Sequence, residues 1–152
     1  NPEKFNLYTL VYSNSELVEN ECIEKDIKLI IDVPVNAEVF ADQNMINTVI
    51  RNLLTNAIKY TEKGKITVNS RLINNYHEIR ITDTGIGISD DIRITIFKLD
   101  NSKSLQGTRG ESGTGLGLII CKEFVEKNGG TIRVESKEGE GSSFIFTVPT
   151  AT

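Results

Sequence analysis

The segment from Ile46 to Tyr60 constrains the fold more than any other in this chain. Ile46, Val49, Ile50, Leu53, Leu54, Ala57 and Ile58 recur at three- and four-residue steps, the period of a helix with one apolar face. Such a face must be covered by another layer. On a wheel of about 100° per residue, Asn52, Asn56 and Lys59 fall in a stripe about 60° wide on the side away from Ile50 and Ala57. Asparagine bonds to nearby backbone and forms helix weakly, so an ordinary solvated face favours Glu, Lys, Gln or Arg instead. Two amide oxygens and an ammonium facing one place suit a hard cation and an anion. Mg²⁺ takes oxygen ligands and usually arrives with phosphates. For this stretch alone, a plain solvated face stays open as the alternative.

The flanking pattern says what covers that helix. Residues 8–25 carry Leu10, Val11, Leu17, Val18, Cys22 and Ile23 at mostly helical spacing, interrupted by Ser13-Asn14-Ser15. Residues 28–33 form a β-rich run that stops at Pro34, and residues 37–41 form another that ends at Asp42, a natural helix cap. Gly64 is expected to stop the central helix. Residues 65–73 and 76–82 alternate as strands around Asn74-Asn75, a good hairpin turn. Residues 89–97 read as a short helix opened by a Ser-Asp-Asp cap. Residues 98–113 lose all periodicity, and a loop of that length in a compact domain suggests a lid or binding loop. Residues 118–127 read as a helix closed by Gly129-Gly130. Residues 131–136 and 142–148 read as a hairpin. Helices apart from hairpin-connected strands predict a two-layer α/β sandwich, with a mixed, mainly antiparallel sheet and helices packed on one face.

With 152 residues and 38% hydrophobic composition, one domain over 1–152 is expected. A net charge of -4 with acids and bases interleaved leaves no basic stripe for a nucleic-acid backbone. No apolar run approaches a membrane span and no signal peptide is present, so no direct membrane contact is expected of this stretch. Lacking an initiating Met, it reads as a piece of a longer chain. Cys22 and Cys121 sit far apart among apolar helical neighbours, as reduced core residues do, and imply a reducing cytoplasm.

Two glycine clusters complete the chemistry. Asp83 closes a strand and precedes Thr84-Gly85-Ile86-Gly87-Ile88, which sets a carboxylate beside backbone that a ligand can approach closely. An ionised Asp only accepts hydrogen bonds, and a purine amino group is a natural donor to it. A simple Asp-x-Gly turn is the bland alternative. Gly113-Thr114-Gly115-Leu116-Gly117-Leu118 precedes a helix, where free N–H groups and the dipole favour phosphate. It matches neither the Walker nor the Rossmann spacing. Alone it could equally be a hinge or a close helix–sheet contact.

Taken together, Asn52 to Tyr60, Asp83 to Gly87, Phe97, and Gly113 to Leu118 resemble, in order and spacing, the N, G1, F and G2 boxes of the sensor histidine kinase catalytic and ATP-binding domain. That domain belongs to the GHKL superfamily with its Bergerat-type fold, shared by gyrase-type, Hsp90-type and mismatch-repair ATPases. The resemblance implies that Asn56 binds Mg²⁺, that Asn52 and Lys59 lie beside the phosphates of ATP, and that Asp83 receives the adenine amino group. It also implies that Tyr60, Ile88, Thr114, Leu116 and Leu118 line the nucleotide, while Gly85, Gly87, Gly113, Gly115 and Gly117 shape the pocket and lid hinges. One departure stands out: Phe97 is followed by Lys98-Leu99-Asp100-Asn101, without the second aromatic that histidine kinases commonly carry. Lys103 and Arg109 are candidates for the terminal phosphate, each weighed against a solvated loop charge.

The activity so implied is transfer of the γ-phosphoryl group of Mg-ATP to a histidine on a separate phosphoacceptor domain of the same parent protein. A response regulator receiver domain would be the downstream partner, in the cytosolic portion of a membrane-anchored sensor. Rival readings are a hydrolytic ATPase or an anti-sigma-type serine kinase of the same superfamily. In the hydrolytic families a glutamate stands four residues before the metal-binding Asn. Here that place is Asn52, which cannot act as a general base. His77, the only histidine, precedes Glu78 but reads as an exposed strand start, not a phosphoacceptor.

Overall fold

The computed structural model describes residues 1–98 and 116–151. Five strands form one sheet in the order β2-β4-β5-β7-β6: β2 (Ile27–Asp32), β4 (Gly64–Ile73), β5 (Tyr76–Asp83), β6 (Ile132–Lys137) and β7 (Gly141–Pro149). Every pairing is antiparallel except β2 with β4, which is parallel. A parallel pair needs a crossover connection, and here it is made by β3 (Glu38–Ala41) and α2 (Gln43–Lys59). Helices α1 (Leu7–Glu24), α2 and α4 (Leu116–Lys127) cover one face. The mixed, mainly antiparallel sheet with helices on one side is the expected architecture.

Helix α2 is the centre of the apolar layer. All seven residues of its periodic face are buried, with Ile46, Val49, Ile50, Leu53 and Leu54 fully so. They meet Ile66, Val68, Ile79, Ile81, Phe144 and Phe146 of the sheet in one core. At about 25 cal/mol per Å² of apolar surface, each large side chain contributes roughly 1.5–3 kcal/mol. Cys22 and Cys121 are buried free thiols in that layer. No helix among the described residues is long and apolar enough to cross a membrane.

Several local features differ from the sequence reading. A first strand, β1 (Glu3–Asn6), pairs with β3 in a separate two-stranded sheet. With one buried apolar residue, Phe5, it carries too little pattern to be read. Ser13-Asn14-Ser15, whose effect the sequence leaves open, lies inside an unbroken α1, because each side chain bonds back to its own helix. Ser13 and Ser15 donate to Leu10 and Tyr12 carbonyls, and buried Asn14 donates to the Leu10 carbonyl and to Asn47 Oδ1 at 2.8 Å. Helix α2 ends at Lys59 with Tyr60 as its cap. Gly64 is therefore not a helix stop but the first residue of β4, and a Cβ there would overlap Thr84 Oγ1. The left-handed residue is Lys63, with φ 53°.

His77 also departs from expectation. The exposed start of β5 is Tyr76, whereas His77 is buried on the helix-facing side beside Leu72 and Val148. Burial lowers its pKa, so it is a neutral core residue on a strand.

Helix α1 and α2 are joined at their C-terminal ends. Lys25, which caps α1 and is itself buried, donates from Nζ to the carbonyls of Ile58 at 2.8 Å and Lys59 at 3.2 Å. A cation at the negative end of the α2 dipole satisfies carbonyls that have no partner within the helix.

Candidate nucleotide site

Two clusters of the expected residues form around the C-terminal half of α2. The first is built on Asp83, the last residue of β5. Asp83 is 4% exposed, and its Oδ1 accepts the N–H of Gly85 at 2.9 Å and that of Ser142 at 3.3 Å. Burial pushes its pKa up to about 6 against the pull of those two donors. Near neutral pH it is a desolvated anion held by two amides, poised to accept further donors.

The backbone from Gly85 to Ile88 is pinned from both sides. Ile86 N–H donates to the Tyr60 carbonyl at 3.0 Å, and the Ile86 carbonyl accepts from Gly139 at 2.7 Å. Ile88 N–H donates to Ser136 Oγ at 2.8 Å, and its side chain is buried. A Cβ at Gly85 would overlap the Tyr60 carbonyl oxygen, and one at Gly87, which has φ 73°, would overlap that of Lys137. Both glycines are thus demanded by neighbouring backbone. A cleft of about 500 Å³ opens beside them, lined by Glu62, Thr84, Ile86, Ser89 and Glu138 among others.

The second cluster lies along α2. Asn52, Asn56 and Lys59 are each half-buried on the face away from the core. Asn52 Nδ2 donates to the carbonyl of Gly117, in the first turn of α4, at 3.4 Å. Lys59 Nζ lies 5.1 Å from the centre of the Tyr60 ring, within cation–π range. A Cβ on Gly117 would make only ordinary contact, 3.7 Å from the Asn52 amide, so the fold itself does not demand glycine there. Leu118 is buried in the α4 contact with the core. Phe97 packs edge-on against Phe144 at 6.2 Å.

Lys103, Arg109, Gly113, Thr114 and Gly115, with almost all of the expected lid, lie outside the described residues. Leu116 begins α4. Sequence reasoning missed Ser142. Ser142 approaches Asp83 because Gly141, with φ 95°, lets the β7 backbone come so near that a Cβ would overlap the Asp83 carbonyl. The turn Glu138-Gly139-Glu140-Gly141, between the two strands of the terminal hairpin, was the available signal.

Against known proteins, the family model described as histidine kinase-, DNA gyrase B-, and HSP90-like ATPase matches residues 41–152. The chain belongs to this family. That ATPase match spans every described residue of both clusters. The chain is 37% identical over 153 residues to the adaptive-response sensory kinase SasA of Prochlorococcus marinus, covering 98% of this chain and 40% of that protein. It is 38% identical over 125 residues to the sensor-like histidine kinase SenX3 of Mycobacterium bovis, covering 82% of this chain and 30% of that one. It therefore spans two fifths or less of these relatives. Among solved structures, the nucleotide-free catalytic domain of histidine kinase ThkA superposes with a TM-score of 0.86 at 31% identity, covering 99% of this chain and 96% of that one. Full-length ShkA in complex with AMPPNP superposes at 0.83 and 27% identity, covering 32% of its chain.

Proposed function

We propose that this chain binds Mg-ATP and delivers the γ-phosphoryl group to a histidine on a phosphoacceptor domain of its parent protein. The observation that carries this reading is the pairing of a buried, acceptor-only carboxylate at Asp83 with the amide-and-ammonium stripe of α2, inside a family of ATPases. Asp83, ionised above about pH 6, accepts the adenine amino group. Tyr60 and Ile88 flank the base. The N-terminal amides of α4 and the ammonium of Lys59 hold the phosphates.

The donor set suits Mg²⁺. Among the described residues no group of three or more His, Cys, Asp or Glu could cage a metal, so an ion here takes most of its ligands from phosphate and water, as Mg²⁺ does. Asn56 would hold it by its amide oxygen, with Asn52 alongside. When bound, the ion supplies positive charge that offsets the phosphate charge. In the transfer, an imidazole nitrogen of the acceptor bonds to the γ-phosphorus as the bond to the β–γ bridging oxygen breaks, and ADP leaves. The chain's residues contribute positioning and charge, not covalent chemistry.

Asn52 weighs against the hydrolytic reading, since an amide that donates to the Gly117 carbonyl cannot deprotonate water. Downstream, the phosphoryl group would pass to a response regulator receiver domain, in the cytoplasm. The test is radiolabelled ATP with the isolated chain and, separately, with the upstream segment of its parent. The isolated chain should bind Mg-ATP yet take up no acid-labile phosphate, the upstream segment should be labelled in trans, and His77→Ala should change neither result. Fast ATP hydrolysis without transfer would overturn the reading in favour of an ATPase.

A further inference from the structure

We propose that Ser136 is a positioning residue of the nucleotide site, whose hydroxyl aims the Ser142 N–H at the Asp83 carboxylate and anchors the segment from Gly85 to Ile88 at the same point. The proposal deepens the Mg-ATP reading and rests on it. Strand register brings three polar residues into one row. Ser142 of β7 stands opposite Asp83 of β5 on one side and opposite Ser136 of β6 on the other, so all three side chains share one face of the sheet. On that face Ile81, Phe144 and Val134, each two residues away along its strand, pack into the core. Ser136 Oγ has three partners here. It accepts the Ile88 N–H at 2.8 Å, and it lies 2.9 Å from the Gly141 carbonyl oxygen and 2.8 Å from Ser142 Oγ.

Proton counting fixes the direction of each bond. A hydroxyl has one proton and two lone pairs, whereas a carbonyl only accepts. The Ser136 proton therefore goes to the Gly141 carbonyl, and the Ser142 hydroxyl donates to Ser136, whose lone pairs are then both used. The Gly141 carbonyl and the Ser142 N–H belong to one peptide group, which is planar and trans, so its C=O and N–H point opposite ways. Held at its oxygen from the β6 side, that group turns its N–H toward β5, where Asp83 Oδ1 accepts it at 3.3 Å. A hydrogen bond on the oxygen also polarises the peptide and makes its N–H a stronger donor. One hydroxyl thus sets an amide on the carboxylate that would read adenine and the end of the segment that would flank the base.

Substitutions at two serines separate aim from packing. Ser136→Ala removes the hydroxyl and Ser136→Thr restores it. Ser143→Ala is the control, since Ser143 Oγ pairs with Thr82 Oγ1 at 2.8 Å on the opposite face of the sheet. What sets the Asp83 pKa is burial, which raises it, against the amides of Gly85 and Ser142, which lower it. In nucleotide-free protein the ¹³Cγ signal of Asp83, assigned by its loss in Asp83→Asn, should titrate at about pH 6. The midpoint should rise by about 0.5–1 pH unit in Ser136→Ala, the measure of one ordinary hydrogen bond. It should return in Ser136→Thr and stay in place in Ser143→Ala. At pH 8, ADP affinity should fall about fivefold in Ser136→Ala and not in the other two. An unmoved midpoint in Ser136→Ala would overturn the proposal, and so would an equal shift in Ser143→Ala. Should Ser136→Ala not fold, Ser136→Cys, with a weaker donor in the same place, is read by the same two measurements. If the Asp83 signal responds as expected but the unsubstituted chain binds no ADP, the positioning of Ser142 stands and the nucleotide reading fails.

Discussion

The backbone N–H of Ser142 in β7 donates to the Asp83 carboxylate in β5 across 3.3 Å, and both residues are buried. Two adjacent strands thus converge on one charged oxygen, which desolvation penalises more than the two amides repay.

That balance sets a pH dependence. Asp83 has a folded pKa of about 6 against an ordinary 3.8, so the folded chain holds this proton more tightly than the unfolded one. The contribution to stability is fully present below the lower value and is lost as pH rises through the higher. The difference is worth about 3 kcal/mol at most. Asp83→Asn, whose amide oxygen still accepts from Gly85 and Ser142, should therefore gain roughly 1–3 kcal/mol relative to the unsubstituted chain at pH 7.5 but not at pH 3.5. Urea melts at the two pH values measure it, and equal differences at both would refute it. Adenine-nucleotide affinity of the unsubstituted chain should meanwhile weaken about tenfold per pH unit below 6, while Asp83→Asn stays weak throughout.

Asn56→Ala should reduce Mg-ATP affinity about tenfold, or 1.4 kcal/mol, through the loss of one oxygen ligand to the metal. Metal-free ADP affinity should change little. Calorimetric titrations with and without Mg²⁺ distinguish the two, and a defect of equal size in both would show that Asn56 matters for folding, not for metal.

Gly117→Ala should raise stability and weaken binding together. Its Cβ meets nothing closer than 3.7 Å, and alanine in a helix is favoured over glycine by about 0.5–1 kcal/mol. The same methyl group stands beside the Asn52 amide, in space the proposed phosphates occupy, so ATP affinity should drop about tenfold, or 1.4 kcal/mol. A stabilised variant with unaltered affinity would remove Gly117 from the site.

What could be read in advance was whatever the chain writes as a period or a local pairing. The face from Ile46 to Ile58 announced α2, and Asn74-Asn75 announced the β4–β5 hairpin. Asp83, Gly85 and Gly87 were legible as a cluster, although the reason for the glycines was not. Each accommodates a carbonyl from far along the chain, Tyr60 in one case and Lys137 in the other, and such encounters leave no local pattern. The burial of His77 was hidden for the same reason, since a polar residue beside a turn reads as exposed until β7 and β3 pack over it. Gly64 misled because glycine near a helix end has two uses, and here close approach to Thr84 decided between them.

One lysine gives the site a mechanical attachment at a distance. Lys25 belongs to the end of α1, yet its ammonium grips the last carbonyls of α2, immediately beside Lys59 and Tyr60. The two helices therefore share a terminus, and neither can slide along its axis without stretching a buried, charge-assisted hydrogen bond. A displacement of α1 along its axis is therefore expected to carry with it the end of α2 that holds Lys59 and Tyr60, the residues proposed above to lie beside the nucleotide.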